Sequence, residues 1–426
     1  MTSSASPTPF VAIACGGTGG HLFPGLAVAA QLQQRGCAVA VMISPKEVDQ
    51  QAVQSARDVE VITLPAVALQ NRNYLAFARS FTQSWRTARQ VFKTRPPQAV
   101  LAMGGFTSVP PVLAAKQFGA KTFLHESNTI PGRANRLLAR WVDTAFVGFP
   151  SAARRLANPH PLVSGTPVRA EFQPRDPARC RVRLGLDPHL PTILVMGGSQ
   201  GASGINRLIL SVLPMLGGRP WQWLHLTGIA DFEAVQAAYA TQGLPAVVKP
   251  FLAEMEIALG AATVAVSRSG ASSLAEIAAL RLPTLLVPYP AAADNHQLTN
   301  ALAFVCSGAA QLLEQKNATP ANCLARLQEL VEHEQTRSGL RAALVQWHTP
   351  RAAEHIAESI MQAITGPETV VTSQFKRTNA GSQPVAPVSP HAGPLPWEQG
   401  NGGPATTKSG SPSGSNLAGT TCKAAA

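Results

Sequence analysis

The feature that most constrains this chain is a local device that it uses twice. An apolar strand, 10–15, runs into the glycine loop 16–20 and a helical stretch, 22–34. A second apolar strand, 192–196, runs into the loop 197–201 and a helix from Ile205. Glycines at such a junction let the backbone turn sharply and bring its N–H groups close to an anion, with the positive end of the helix dipole behind them. A tight turn with no ligand explains one such loop as well; two at equivalent places favour binding. Short apolar runs fill both halves: 38–44, 59–64, 99–103, 122–124 and 144–147, then 222–227, 246–250, 263–266 and 283–288. Runs without polar alternation are strands buried on both faces, as in a parallel α/β sheet. The expected architecture is two Rossmann-like domains facing across a cleft, with ligand at the carboxyl ends of the strands.

At 426 residues the chain has room for two such domains and extras. The expected divisions are a disordered lead-in 1–9, an N-terminal Rossmann-like domain 10–168, a Pro-, Arg- and Asp-rich connection 169–190, a C-terminal Rossmann-like domain 191–349, a C-terminal helix 350–365 and a tail 366–426. Of the 61 tail residues, 39 are Pro, Gly, Ser, Thr or Ala, too few apolar groups to offset the entropy of ordering. The tail reads as disordered and is given no chemistry.

Lys and Arg exceed Asp and Glu by 35 − 23 = 12 although charged residues make up only 14% of the chain, so an anionic partner is expected. No zinc finger, basic helix or RNP-type aromatic motif supports nucleic acid as that partner. Six scattered cysteines without a CxxC pair suit a reducing cytosol, and no zinc-binding spacing or HExxH occurs. The N-terminus lacks a signal-peptide pattern, and no apolar window reaches the ~18 residues of a membrane span. The chain is expected in the cytosol, touching a membrane from that side.

The loop Gly16-Gly17-Thr18-Gly19-Gly20-His21 misses the GxGxxG spacing, Ser44 ends the second strand where a dinucleotide site wants an acid, and no GK[ST] is present. An NAD enzyme and an ATPase are therefore disfavoured. The second loop, Gly197-Gly198-Ser199-Gln200-Gly201-Ala202, adds a hydroxyl. A third segment, Ser267-Arg268-Ser269-Gly270-Ala271-Ser272-Ser273-Leu274-Ala275-Glu276-Ile277, follows a strand and opens a helix. Ser273 to Glu276 fits a capping box, in which Glu276 ties back the helix start; equally, Glu276 can face ribose hydroxyls while the serine-glycine turn meets phosphate. Spacing alone leaves both open.

GGTGGH at 16–21, HESN at 125–128, GTPVR at 165–169, GGSQGA at 197–202, SRSGASSLAEI at 267–277 and PYPAAADNHQ at 288–297 occur in this order. Together they resemble the MurG family of bacterial UDP-N-acetylglucosamine transferases, which convert lipid I to lipid II in peptidoglycan biosynthesis. The resemblance covers about 10–364; Ser127, where many members have Gln, and the tail depart from it. It implies the glycosyltransferase-B fold and an inverting, metal-independent transfer of N-acetylglucosamine from its UDP donor to the muramyl unit of an undecaprenyl-diphosphate-linked pentapeptide acceptor. The N-terminal domain would serve acceptor and membrane, the C-terminal one UDP-sugar. Carried over residue by residue, Thr18, Gly19 and Gly20 would line the cleft, Asn128 would bind the donor sugar, and Arg169 and Ser199 would meet the diphosphate. Leu252 would hold uracil through its backbone, Ala271, Ser272, Ser273, Leu274, Ala275 and Glu276 would cradle phosphate and ribose, and Gln297 would hold a sugar hydroxyl, with Asn300 as a further polar contact. No cofactor is implied, and no DxD pair is present to bridge a metal to a diphosphate.

Departing UDP needs fixed positive potential, and the acceptor hydroxyl needs a base. His21, beside the glycine turn, is the first candidate base, with a hydrogen bond that merely steadies the loop as its alternative; His125 and Glu126 follow, and His296 reads as structural. Between Arg72 and Arg89, Tyr74, Phe77, Phe81 and Trp85 share one helical face, flanked by Arg72, Arg79, Arg86 and Arg89. Such a stripe is either core or an apolar surface rimmed by cations for an anionic membrane, placing the protein peripherally on the cytoplasmic face of the inner membrane. A diacylglycerol-type acceptor is the rival to lipid I.

Overall fold

A computed structural model describes residues 8–16, 19–46, 59–65, 73–198 and 201–366. The N-terminal half builds one parallel sheet from β1 (Phe10–Cys15), β2 (Ala38–Ile43), β3 (Glu60–Thr63), β4 (Ala99–Gly104), β5 (Lys121–Glu126), β6 (Thr144–Val147) and β7 (Pro161–Val163), in the order 3-2-1-4-5-6-7. The second half builds β8 (Thr192–Met196), β9 (Gln222–Leu226), β10 (Ala246–Lys249), β11 (Val264–Ser267), β12 (Thr284–Leu286) and β13 (Gln311–Leu312), in the order 10-9-8-11-12-13. Both sheets reverse direction beside their first strand, where β1 lies between β2 and β4 and β8 between β9 and β11. That reversal opens a crevice at the carboxyl edge of each sheet. The expected pair of Rossmann-like domains is present. Edge strands β7 and β13 had no sequence signal: they are short and only half covered.

The helices that bear on the site are α1 (Gly19–Gln34), α2 (Tyr74–Thr94), α3 (Val109–Lys116), α4 (Arg133–Leu138), α5 (Ser203–Val212), α6 (Ala271–Leu280), α7 (His296–Cys306) and α8 (Ala352–Thr365). Period-2 alternation along β1 explains the layering. Phe10, Ala12 and Ala14 point to one core with Ala88 and Phe92 of α2; Val11, Ile13 and Cys15 point to another with Leu22, Val28 and Leu32 of α1. Ile356, Ala357 and Ile360 of α8 are fully buried in that second core. The last described helix thus returns to close the first domain, and each buried isoleucine contributes about 1.5–3 kcal/mol. The chain therefore crosses between domains twice. The crossings touch at Gly165, whose φ of +77° and lack of a side chain allow contact with Thr349.

The apolar stripe of α2 turns inward. Phe81 and Trp85 pack against the core shared with α3, and Phe77 sits edge-on to Phe106 with ring centres 5.7 Å apart. All three are half-buried in the domain's packing, because α2 lies on α3 and turns its apolar side there. Tyr74 and Leu75, at the first turn, stay exposed at 66% and 85%; Arg79, Arg86 and Arg89 are exposed and Arg72 lies outside the described residues. Among the described residues no helix is long and apolar enough to cross a membrane.

Candidate active site

The carboxyl edges of the two sheets face one another across a cleft of about 1200 Å³. Its N-terminal wall is Gly19, Gly20, His21 and Phe23 from the start of α1, Gly104 to Phe106 after β4, and Glu126 to Asn128 after β5. Its C-terminal wall is Gly197, Gly198 and 201–204 at the start of α5, Leu252, Arg268, Ala271 to Ser273 and Glu276 on α6, and Gln297 on α7. Thr18 and Ser199 lie outside the described residues. Leu274 is buried in the core of its domain, and neither it nor Ala275 lines the cleft. A helix that presents Ser272, Ser273 and Glu276 to the cleft must turn position 274 away from it.

His21 is held by geometry. Its Nδ1 lies 3.1 Å from the Gly16 carbonyl oxygen, which can only accept, so Nδ1 carries the proton and Nε2 of the neutral ring keeps its lone pair. The ring lies against the Gly104 backbone: a Cβ there would come within 2.9 Å of Nε2, and the φ of +122° also favours glycine.

Glu126 is 2% exposed and spends both oxygens on hydrogen bonds. Oε1 accepts from the Asn128 amide (2.8 Å) and side chain (3.1 Å), and Oε2 from the Gly132 amide and the Asn135 side chain (both 2.9 Å). Four donors occupy the carboxylate and fasten the loop 127–132 to it. His125 is buried between the Gly165 carbonyl (3.0 Å) and the Ser127 hydroxyl (3.2 Å), and burial pushes its pKa down, so it stays neutral and away from the cleft. His296 donates to the Ala293 carbonyl across 2.7 Å at the cleft rim.

On the opposite wall, α6 begins at Ala271 with Gly270 as its cap, and no side chain caps it. Ser273 is therefore the third helical residue rather than the cap, which removes the capping-box role from Glu276. The uncapped first turn of α6 lines the cleft, and α5 likewise begins without a side-chain cap after Ala202. Glu276 is partly exposed, yet the surrounding protein desolvates it enough to push its carboxyl up to about 7; the Arg169 guanidinium opposes that rise. Arg169 itself lies between the rings of Phe23 (4.9 Å) and Phe172 (5.1 Å) and pairs with Glu171 at 3.0 Å. Its Nε is buried and finds no acceptor among the described residues.

Arg268 belongs to the third glycine-serine motif but carries no sequence signal of its own for a place in the site. This guanidinium is 7% exposed and is held by the Val287 and Pro288 carbonyls and Gln315 Oε1. All three partners are neutral, and burial lowers its pKa. Arg207 and Arg133 also line the cleft. No hydrogen bond among the described residues uses the backbone of Leu252, leaving a donor and an acceptor on one residue of the cleft wall.

Asn300 is fully buried outside the cleft and pins the domains together. Its Oδ1 accepts from the Thr129 amide and hydroxyl (both 2.9 Å); its Nδ2 donates to Asn128 Oδ1 (3.0 Å) and to the Ser269 carbonyl (3.1 Å). Its capacity is fully used inside the protein.

The chain matches the family models of the glycosyltransferase family 28 N-terminal domain over residues 11–147 and C-terminal domain over 192–356. It is 34% identical over 371 residues to the UDP-N-acetylglucosamine--N-acetylmuramyl-(pentapeptide) pyrophosphoryl-undecaprenol N-acetylglucosamine transferase of Anaeromyxobacter sp. (strain K), covering 83% of this chain and 92% of that one. The protein of the same name from Parasynechococcus marenigrum (strain WH8102) is 40% identical over 306 residues, 71% of this chain and 82% of that one. A crystal structure of Acinetobacter baumannii MurG superposes with a TM-score of 0.66 at 27% identity, covering 84% of this chain and 100% of that one.

Proposed function

The chain belongs to glycosyltransferase family 28 and, within it, to the MurG family of N-acetylglucosamine transferases, and on that premise we propose how its cleft performs the transfer. UDP-N-acetylglucosamine lies along the C-terminal wall. Leu252 meets the uracil edge through its backbone, Glu276 takes the ribose hydroxyls, and the free amides of α6 with Ser272 and Ser273 hold the diphosphate. Asn128 and Gln297 orient the sugar. The muramyl unit of lipid I enters from the N-terminal wall, its hydroxyl directed at the anomeric carbon from the face opposite the leaving phosphate. His21 Nε2 takes the hydroxyl proton as the new β-linkage forms, and the bond to UDP breaks with its electron pair on the diphosphate. That charge develops in front of two helix N-termini and Arg268, where fixed dipoles and a buried cation stabilise it without reorganisation. Glu126 acts as the fastener of the acceptor-side loop.

The observation that carries this reading is the start of α6: an uncapped first turn and an unpaired carboxyl one turn later, both in the cleft. Titrating UDP into the chain tests it. Glu276→Ala is expected to weaken UDP binding while turnover at saturating donor changes little; unchanged affinity would contradict the ribose assignment.

The membrane contact we assign to the N-terminal turn of α2, where Tyr74 and Leu75 stand exposed beside Arg79 and close in sequence to Arg72. A small apolar tip with a basic surround suits the cytoplasmic face of an anionic bilayer, where the lipid-linked acceptor resides.

A further inference from the structure

Pro24 stands inside the first turns of α1. Proline has no N–H, so the bond that residue 24 would make to the carbonyl of residue 20 cannot form, and its ring tilts that carbonyl away from the helix axis. The orphaned acceptor belongs to Gly20, on the cleft rim. It does not go unused: the Ser272 hydroxyl, from the first turn of α6 in the other domain, donates to it across 2.7 Å. The Ser272 side chain has a single proton to give. While it serves Gly20 it cannot serve a phosphate oxygen.

We propose that Pro24 is a positioning residue that keeps the Gly20 carbonyl free, so that Ser272 latches the two domains together and releases the latch when a nucleoside diphosphate takes its hydroxyl. The latch rests on the reading of α6 as the diphosphate cradle. It couples donor entry to the contact between domains: a hydrogen bond to the neighbouring domain is exchanged for one to the ligand. A device of this kind ties the acceptor-side turn, with His21 in it, to α6 until the donor is seated.

The sequence supplies a direct probe. Gly20-His21 is the sole Gly-His pair in the chain. Labelling glycine carbonyl carbons and histidine amide nitrogens therefore isolates the Gly20 carbonyl resonance in the full-length protein. Loss of an accepted hydrogen bond moves a carbonyl carbon upfield. The latch expects UDP to move this resonance upfield, Ser272→Ala to move it in the same sense without ligand, and UDP to add little in that variant. A Gly20 carbonyl unmoved by Ser272→Ala would overturn the proposal. So would UDP binding that leaves the wild-type resonance in place. Failure of UDP to bind the wild-type chain would overturn the donor reading and the latch with it.

Calorimetry gives a second line. Pro24→Ala restores an intrahelical donor to Gly20 and weakens its hold on Ser272, so UDP should bind about two- to tenfold tighter, the worth of one neutral hydrogen bond. In the Ser272→Ala background the same substitution should change affinity by less than about twofold. An equal change in both backgrounds would show that Pro24 acts on the helix alone and would overturn the coupling.

Discussion

At the scale of single residues, Glu276 ties binding to pH. Its carboxyl sits near 7 against an ordinary 4.5, with desolvation as the main cause. Ribose hydroxyls donate to the ionised form, so donor affinity is expected to rise as pH increases through about 7 and to level off above about 8, by up to tenfold per pH unit below the midpoint. Glu276→Gln should flatten that profile. For folding the sign is opposite: a raised carboxyl pKa gives stability that is present below about 4.5 and lost as pH rises through about 7, and UDP should reverse that loss. His21→Ala is expected to lower turnover by about 10²–10⁴-fold with little change in UDP affinity, checked by kcat and by calorimetry. The sequence brought both residues to notice but could not settle Glu276, because a capping box and a ribose contact share one spacing. The helix start at Ala271, three residues earlier than the box requires, separates them. Arg268 escaped notice because its backbone-carbonyl partners, Val287 and Pro288, come from a loop nineteen and twenty residues on.

At the scale of elements, the glycine loops are built by close approach. A Cβ on Gly201 would overlap the Thr227 carbonyl, and its φ of +75° is left-handed; Gly36 has a similar φ of +81° but open space around it. Gly201→Ala should therefore destabilise more than Gly36→Ala, which carries about 1–2 kcal/mol of left-handed strain alone. Urea unfolding of the two variants checks the difference. For α2 the stripe of Tyr74, Phe77, Phe81 and Trp85 was legible as a helical face, but what it faces was not, since core and lipid select the same residues. Packing against α3 divides it. Phe81→Ala should cost about 2–4 kcal/mol of stability, whereas Leu75→Ser should leave unfolding unchanged and reduce sedimentation with anionic vesicles. That sedimentation should fall as salt rises, because the arginine surround is screened; salt-insensitive binding would remove the basic surround from the account.

At the scale of the whole molecule, two sheets of like order meet at their carboxyl edges, and the chain passes between them at Gly165 and again near Thr349. The duplication was plain from two glycine loops and their flanking strands. The return of α8 to the first domain was not, because an amphipathic helix does not say which core it covers. Asn300 was noticed as a polar residue near the donor, yet it is a pin between domains; its partners Thr129 and Asn128 lie about 170 residues away, beyond any local pattern. Asn300→Ala leaves the Thr129 amide without its acceptor and should cost about 1–3 kcal/mol, with a wider spread of domain separations in small-angle scattering.

UDP release from UDP-N-acetylglucosamine with lipid I as acceptor, set beside the same assay with diacylglycerol, puts the whole scheme at risk in one step. Fast release that depends on lipid I, yields a β-linked disaccharide and collapses in His21→Ala is the expected result. Release that ignores lipid I, or that survives the loss of His21 at saturating donor, would contradict a transfer carried out between these two walls.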